Sequence, residues 1–396
     1  MATHALFALT LLATAAFAQH PPLNTPAADT NNPKLAGKRF PYNAIPYQAD
    51  TSPPNATTSY FRGPQAGYNL CNSTTSGQNS MCQTAMLNAI DDFCLWAPPK
   101  PNSAIGDTEH EEVAWCTKPT HGARTIPAGA ITGLQFIKTP SYVLVAGYLK
   151  QDLLNMPATD YGGELDSGGQ DLRGNPIGAL VYSTQLSGGA GGLPAQSPVW
   201  HSFIGGGQFC FKACDMNAPN AVGLCYHKLD RLGCNYNIPT AMVDGVFESC
   251  LGDDQSPPGV YTSDGQVLTY TQPAESLGAI TSMPYSALTP SSSACTTFKS
   301  AELFAGAGLP AGAGIPSDPN PATKTSTTTT ASVAFSTPLQ SSIPPASRTT
   351  VSRPGSTTTP GADPEGTDAP GAAGRSVELS IFVGAAAFLL AVAARI

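Results

Sequence analysis

Charge is what this chain has least of. Asp, Glu, Lys and Arg make up 12% of its 396 residues, about half of the ~25% usual in soluble domains. No block of Lys or Arg occurs, and the formal net charge is −8. That excludes nucleic acid as a partner, because its binding rests on basic patches that neutralise phosphates. A surface this poor in charge needs another source of solubility, and glycans are the simplest one.

Long apolar runs are missing too. The stretches Ala5–Ala18 and Leu379–Ala394 hold 14 and 16 residues, short of the about 20 that a membrane helix needs. Catalytic signatures are also scarce. No G-x-S-x-G occurs, which excludes a nucleophile elbow. His110-Glu111-Glu112 begins like a zinc-protease helix, but the second histidine that motif needs is replaced by Ala114. No Gly-rich phosphate loop follows a strand. The body carries only His110, His121, His201 and His227. His201, beside Trp200, reads as a hydrogen-bonded structural histidine.

The two apolar runs make sense as signals. Ala5–Ala18 ends on Ala16-Phe17-Ala18, an A-x-A cleavage site, so residues 1–18 are expected to be a removed signal peptide. The C-terminal run follows small residues and a short polar spacer, the pattern of a glycosylphosphatidylinositol (GPI) attachment signal over 372–396. Gly371 or Ala372 is the expected lipid-bearing residue. Both readings expect the outer face of the plasma membrane or the cell wall.

Between these ends the composition changes three times. Residues 19–60 are rich in Pro and Asn and read as a flexible leader, with Lys38-Arg39 as an exposed dibasic pair. Residues 61–305 read as the folded, disulfide-rich domain. Residues 306–371 are dominated by Ser, Thr and Pro and cannot bury a core. They read as a disordered, O-glycosylated stalk. Two N-glycosylation sequons begin at Asn55 and Asn72.

Ten cysteines stand at Cys71, Cys82, Cys94, Cys116, Cys210, Cys214, Cys225, Cys234, Cys250 and Cys295. An even number in an oxidising compartment implies five disulfides. Four fall before residue 117 and six after 209, so two disulfide clusters are expected. Cys210-x3-Cys214 lacks a matching second half, so no metal is assigned.

MCQTAMLNAIDDFCLW carries Cys82, Ala85, Met86, Ala89, Ile90 and Phe93 at helical spacing and is expected to be a helix. Cys82 and Cys94 would then stand about 18 Å apart, too far to pair. PNAVGLCYHKLDRLG is expected to be a second helix closed by Gly233. LQFIK and YVLVAGYL read as paired strands, VYTSDGQVLTY as a hairpin turning at Asp264-Gly265, and ALVYS and GQFCFKAC as strands. The expected fold is a β-rich α+β body, a disulfide-stabilised β-sandwich or barrel with one or two helices.

The strongest chemical candidates are carboxylates. DYGGELDSGGQDLRGNP gathers Asp160, Glu164, Asp166 and Asp171 among glycines. Glu164 and Asp166 would share one side of a strand, and polysaccharide hydrolysis needs two carboxyls about 5–9 Å apart. The same acids also read as a solvated turn, or as Ca²⁺ ligands without an EF-hand spacing. No cofactor is implied.

Several stretches together resemble a known family: YNLCNSTTSGQNSMCQT, AIDDFCLWAPP, YGGELDSGGQDLRGNP, WHSFIGGGQFCFKACD, DRLGCNYNIP and PGVYTSDGQVLTYTQP. They are similar to basidiomycete macrophage-activating glycoproteins, with kinship to immunoreactive mannoproteins of the same fungi. The resemblance covers residues 40–305 and brings no catalytic residues with it. It implies a mannosylated wall or surface protein whose partners are wall glucan or mannan, host lectins and the GPI lipid. Three functions remain open at this point: a non-catalytic structural or glycan-binding mannoprotein, a wall-acting glycoside hydrolase using Glu164 and Asp166, and an adhesive module.

Overall fold

In the computed structural model, the β-branched and aromatic runs of the body become fifteen strands among the described residues, 34–51 and 62–304. The expectations for 1–18, Asn55, the Ser/Thr/Pro stretch and the Gly371/Ala372 tail lie outside the described residues. The first strands are β1 (Thr84–Ala89), β2 (Asp92–Ala97), β3 (Val113–Cys116), β4 (Arg124–Thr125) and β5 (Ile131–Lys138). Next come β6 (Tyr142–Leu149), β7 (Gly163–Asp166), β8 (Leu180–Ser183), β9 (Ala195–Gln196) and β10 (Trp200–Gly205). The last are β11 (Gln208–Cys214), β12 (Phe247–Gly252), β13 (Val260–Ser263), β14 (Gln266–Thr269) and β15 (Ser292–Thr297).

These strands make a six-stranded sheet, β4-β3-β2-β1-β8-β9, and a seven-stranded sheet, β15-β12-β5-β6-β11-β10-β7. Both are mixed: β1 runs parallel to β8 and β5 parallel to β12, whereas the neighbours β5, β6, β11, β10 and β7 are antiparallel. β13 and β14 form a separate hairpin. The sheets pack face to face over one core, so the body is a β-sandwich. An aromatic seam joins them. Phe93 of β2 stacks on Phe209 of β11 at 6.4 Å, and Trp96 meets Trp200 at 5.7 Å and Phe211 at 6.4 Å.

Strand period decides what the other face of the large sheet carries. In β11, Phe209, Phe211 and Ala213 face the sandwich core, so Cys210, Lys212 and Cys214 point away from it. This second face would lie open without a cover. Residues 217–242 supply one, with Ala221, Leu224, Cys225 and Ile238 packing on Tyr142, Leu144, Ala146 and Phe203. Cys210–Cys234 and Cys214–Cys225 fasten the cover down, and Cys250–Cys295 joins β12 to β15. Cys71–Cys82 and Cys94–Cys116 serve the smaller sheet. No cysteine is free.

Helices are minor. The described residues hold α1 (Ile105–Thr108), α2 (Ala221–Leu224), α3 (Gly233–Asn237) and α4 (Ser300–Leu303). None is long and apolar enough to cross a membrane.

The helix expected over MCQTAMLNAIDDFCLW is instead the β1–β2 hairpin, turning at Ile90-Asp91. Nearly every position in it is buried, so the apolar residues that mimicked a helical stripe line both faces of a strand. Cys82 and Cys94 do not pair, but the reason is their strand partners and not a helix: Cys94 lies directly opposite Cys116 in β3. The second expected helix is interrupted. Only Ala221–Leu224 is helical, and Gly233 opens α3 at φ 61° instead of closing a helix. Of the Lys38-Arg39 pair only Arg39 is exposed. Lys38 is buried, and its Nζ donates to the Ala49 carbonyl at 2.7 Å. The segment 34–51, placed by composition in a flexible leader, packs on the body through Leu35 and Ala49.

Candidate functional site

The Gly-rich segment flagged by its acids forms β7, the last strand of the large sheet, and the loop after it. Gly162 lets this strand come close to β10, since a Cβ there would sit 1.7 Å from the Ile204 carbonyl oxygen. Leu165 faces the sandwich core, and Glu164 and Asp166 face the covered side together. The register aligns Asp166, His201 and Lys212 in one row across β7, β10 and β11. Sequence period thus placed the two carboxyls on one side, but their surroundings make them opposites.

Asp166 is held as a carboxylate. It accepts from the Gly168 and Gly169 N–H groups at 2.5 and 2.9 Å, and His227 Nδ1 lies 2.9 Å from Oδ1. Burial alone would raise its pKa, but His227 and the two amides outweigh burial and hold it below the ordinary value. Gly168 is required here because a Cβ would lie 2.3 Å from His227 Cε1. The His227 side chain keeps 13% exposure, so the dyad reaches the surface.

Glu164 is the reverse. Burial, then repulsion from Asp166, Asp230 and Glu109, drives its pKa well above the ordinary carboxylate value. Its oxygens hydrogen-bond nothing among the described residues, and neither do the ring nitrogens of His201. Burial, with Lys212 and His227 nearby, pushes His201 well below its ordinary pKa. The 3.5 Å approach of His201 Nδ1 to Glu164 Oε1 therefore joins two neutral groups and is not an ion pair. His201 is wholly buried, but it lacks the hydrogen bond expected of it. Beside it, Lys212 donates to the Asn237 carbonyl at 3.1 Å and to Gln255 Oε1 at 3.0 Å, with its own pKa driven well down by burial.

Three partners of this site gave no sequence signal. Glu109 follows α1 and accepts from Asn175 Nδ2 at 2.9 Å. Burial, then the Asp166 charge, pushes it up to about 7. Arg62 binds Asn175 and Asp171, and Arg173 binds Asp171 at 2.8 Å and Asp50 at 3.1 Å. His227 appeared in the sequence only as one of four scattered histidines. Arg62, Glu109 and His227 lie 47 to 165 residues from one another in the chain, and only the sheet edge collects them.

A second feature is an open groove of about 510 Å³ between the β5–β6 turn and two loops. Lys138, Ser141, Gln185, Ser187, Asp215 and Asn217 line it. Asp215 accepts from Ser187 N at 2.7 Å and Asn217 N at 2.9 Å. Burial raises its pKa, but these donors more than offset that and hold it low. As for metals, the group with suitable ligand geometry among the described residues is Glu248, Cys250 and Cys295. The two sulfurs are bonded to each other, so no thiolate is available. Asn72 is exposed, and its Oδ1 accepts from Thr74 Oγ1 at 2.6 Å.

Compared with known proteins, the chain is 42% identical over 199 residues to appressorium protein ROW1 of Mycosarcoma maydis, covering 50% of this chain and 46% of that one. It is 39% identical over 205 residues to appressorium protein ROW2 of the same fungus, covering 51% of this chain and 69% of that one. The chain thus spans about half the length of the first relative. No protein-family model and no solved structure matches it.

Proposed function

Because this chain belongs to the family of fungal appressorium proteins that includes ROW1 and ROW2, we propose that it is a non-catalytic mannoprotein of the fungal surface. In this reading the disulfide-bonded body stands on the Ser/Thr/Pro stretch as a mannosylated stalk. A GPI lipid on Gly371 or Ala372 anchors it to the outer leaflet or the wall. Five disulfides with no free cysteine support folding in an oxidising compartment outside the cytosol. The name shared by its relatives adds the appressorium as the setting. The kinship with macrophage-activating glycoproteins and immunoreactive mannoproteins belongs to the same proposal.

One observation carries the non-catalytic reading. Glu164, half of the proposed carboxyl pair, lies under the disulfide-fastened cover with both oxygens buried, where a polysaccharide cannot reach it. Wall glucan or mannan is the proposed partner, taken up in the groove at Asp215 and Asn217, and host lectins would read the stalk glycans. Binding of the purified body to immobilised glucan and mannan tests this. Retention that Asp215→Asn weakens at least fivefold is expected, and no retention on either polymer sinks the glycan-binding reading. For the anchor, phosphatidylinositol-specific phospholipase should release the protein from intact cells. No release, and no lipid on a new C-terminus, sinks it.

A second reading has its own observation. Glu109, pushed up to about 7, and Asp166, held low with His227 beside it, are a split acid and base pair. Release of reducing sugar from wall polysaccharide, lost in both Glu109→Gln and Asp166→Asn, would establish the enzyme. Equal traces from all three proteins would dismiss it.

A further inference from the structure

The hairpin β13–β14 stands outside both large sheets, and its strands are mostly exposed. What holds the neighbouring loop to it is a cluster of four half-buried tyrosines. Tyr261 lies in β13, Tyr270 directly follows β14, Tyr285 comes from the following loop, and Tyr236 from α3. Tyr261 and Tyr285 stack with ring centroids 4.5 Å apart and planes 6° from parallel. Tyr236 meets Tyr285 edge-on at 5.5 Å, and Tyr270 lies tilted at 6.3 Å.

We propose that Tyr261 and Tyr285 are an oxidative cross-linking site, where the two phenols couple into a dityrosine within one chain. Stacking at this separation puts ring carbons of the two side chains in van der Waals contact. A one-electron oxidant removes an electron and a proton from each phenol. The phenoxyl radicals carry unpaired density on the carbons ortho to oxygen, and two such carbons join in a C–C bond. Their ring hydrogens then move to the oxygens, restoring both phenols. The co-reactant is hydrogen peroxide acting through a haem peroxidase. One peroxide takes up two electrons and two protons and leaves as two waters, so each chain loses two hydrogens.

Other tyrosine pairs are placed less well. Tyr42 and Tyr182 meet edge-on at 5.3 Å and 73°, and Tyr47 and Tyr68 stack at 5.7 Å and 24°. Tyr270 and Tyr236 pack against Tyr285 and give an electron hole a short path to it. The new bond would lie inside the loop that Cys250–Cys295 already closes. It would keep the hairpin attached under reducing conditions that open the disulfide. The site needs only a secreted body in contact with extracellular oxidant, so it is independent of glycan binding and of the lipid anchor.

The test treats the full chain with peroxidase and limiting peroxide, and in parallel with photoactivated ruthenium tris-bipyridyl and persulfate. Thermolysin then nicks at Leu277, which is 77% exposed and lies between the two tyrosines. After reduction, the wild-type halves should stay joined, with a mass lower by two hydrogens and dityrosine fluorescence. They should separate in Tyr261→Phe and in Tyr285→Phe, while Tyr47→Phe cross-links like wild type. Each Phe variant keeps its ring, so the hairpin packing is retained. Separation of the wild-type halves after both oxidants overturns the proposal. So does a link that survives Tyr261→Phe, or dityrosine found only between chains.

Discussion

Replacing Glu164 with Met tests whether this carboxyl is a buried liability or part of a working site. The side chain is 3% exposed, and neither oxygen finds a hydrogen bond. An unsatisfied buried polar group costs about 1–3 kcal/mol, and an apolar group of similar shape removes that cost. Met matches Glu in length and adapts to irregular gaps. Glu164→Met should therefore raise the stability of the body by about 1–2 kcal/mol at pH 4, where the acid is protonated in folded and unfolded chains alike, allowing for imperfect packing. For a body of this size that is roughly 2–8 °C in Tm.

The dependence on pH is more diagnostic than the size. The folded-state pKa of Glu164 is raised above its ordinary 4.5, so its protonated form is the one the fold accepts. Below pH 4.5 folded and unfolded chains both carry the proton, and ionisation costs the wild type nothing. Above it the unfolded chain releases a proton that the folded chain retains. Wild-type stability then falls by about 1.4 kcal/mol per pH unit for as long as the folded acid stays protonated. The advantage of Glu164→Met should widen from pH 4 to pH 7. Urea unfolding with disulfides intact, followed by tryptophan fluorescence at both pH values, measures it. A variant less stable than wild type at pH 7, or an advantage equal at both pH values, would refute the reasoning.

Three further outcomes are expected. Gly168→Ala puts a methyl 2.3 Å from His227 and 2.8 Å from the Asp166 carboxylate; overpacking of this kind should cost about 1–3 kcal/mol in chemical unfolding. Among the disulfides, opening Cys250–Cys295 by a double Ser variant should destabilise more than opening Cys71–Cys82, because the loops are 45 and 11 residues long; chain entropy gives about 4 against about 3 kcal/mol, read as a difference in urea midpoint. Glu109 is raised from 4.5 to about 7, so wild-type stability should fall between those pH values; Glu109→Gln should flatten that segment of the profile by about 2–3 kcal/mol.

Strands rich in β-branched and aromatic residues, or with a turn of known chemistry, were legible before the structure. LQFIK, YVLVAGYL and GQFCFKAC became β5, β6 and β11, and Asp264-Gly265 turned the β13–β14 hairpin. The hairpin at 81–96 was not legible. Ala, Met and Leu in TAMLNA favour helix locally, and the strand is buried on both faces, so no alternation marks it. Tertiary burial overrode local preference there. PNAVGLCYHKLDRLG failed for a related reason. Two disulfides and the surface beneath determine its path, and single helical turns are all that the path allows.

By itself the sequence determined the β-rich class, the separation of four cysteines from six, and the shared side of Glu164 and Asp166. Each of these follows from local spacing or composition. Only the tertiary structure decided which of the two carboxyls is charged. Burial is common to both, but Asp166 gains His227 and two backbone amides while Glu164 gains nothing. The structure also brought Glu109, Arg62 and His227 to that edge, and stacked Tyr261 on Tyr285. The contacts at that edge depend on how the sheets close, and no local pattern encodes that.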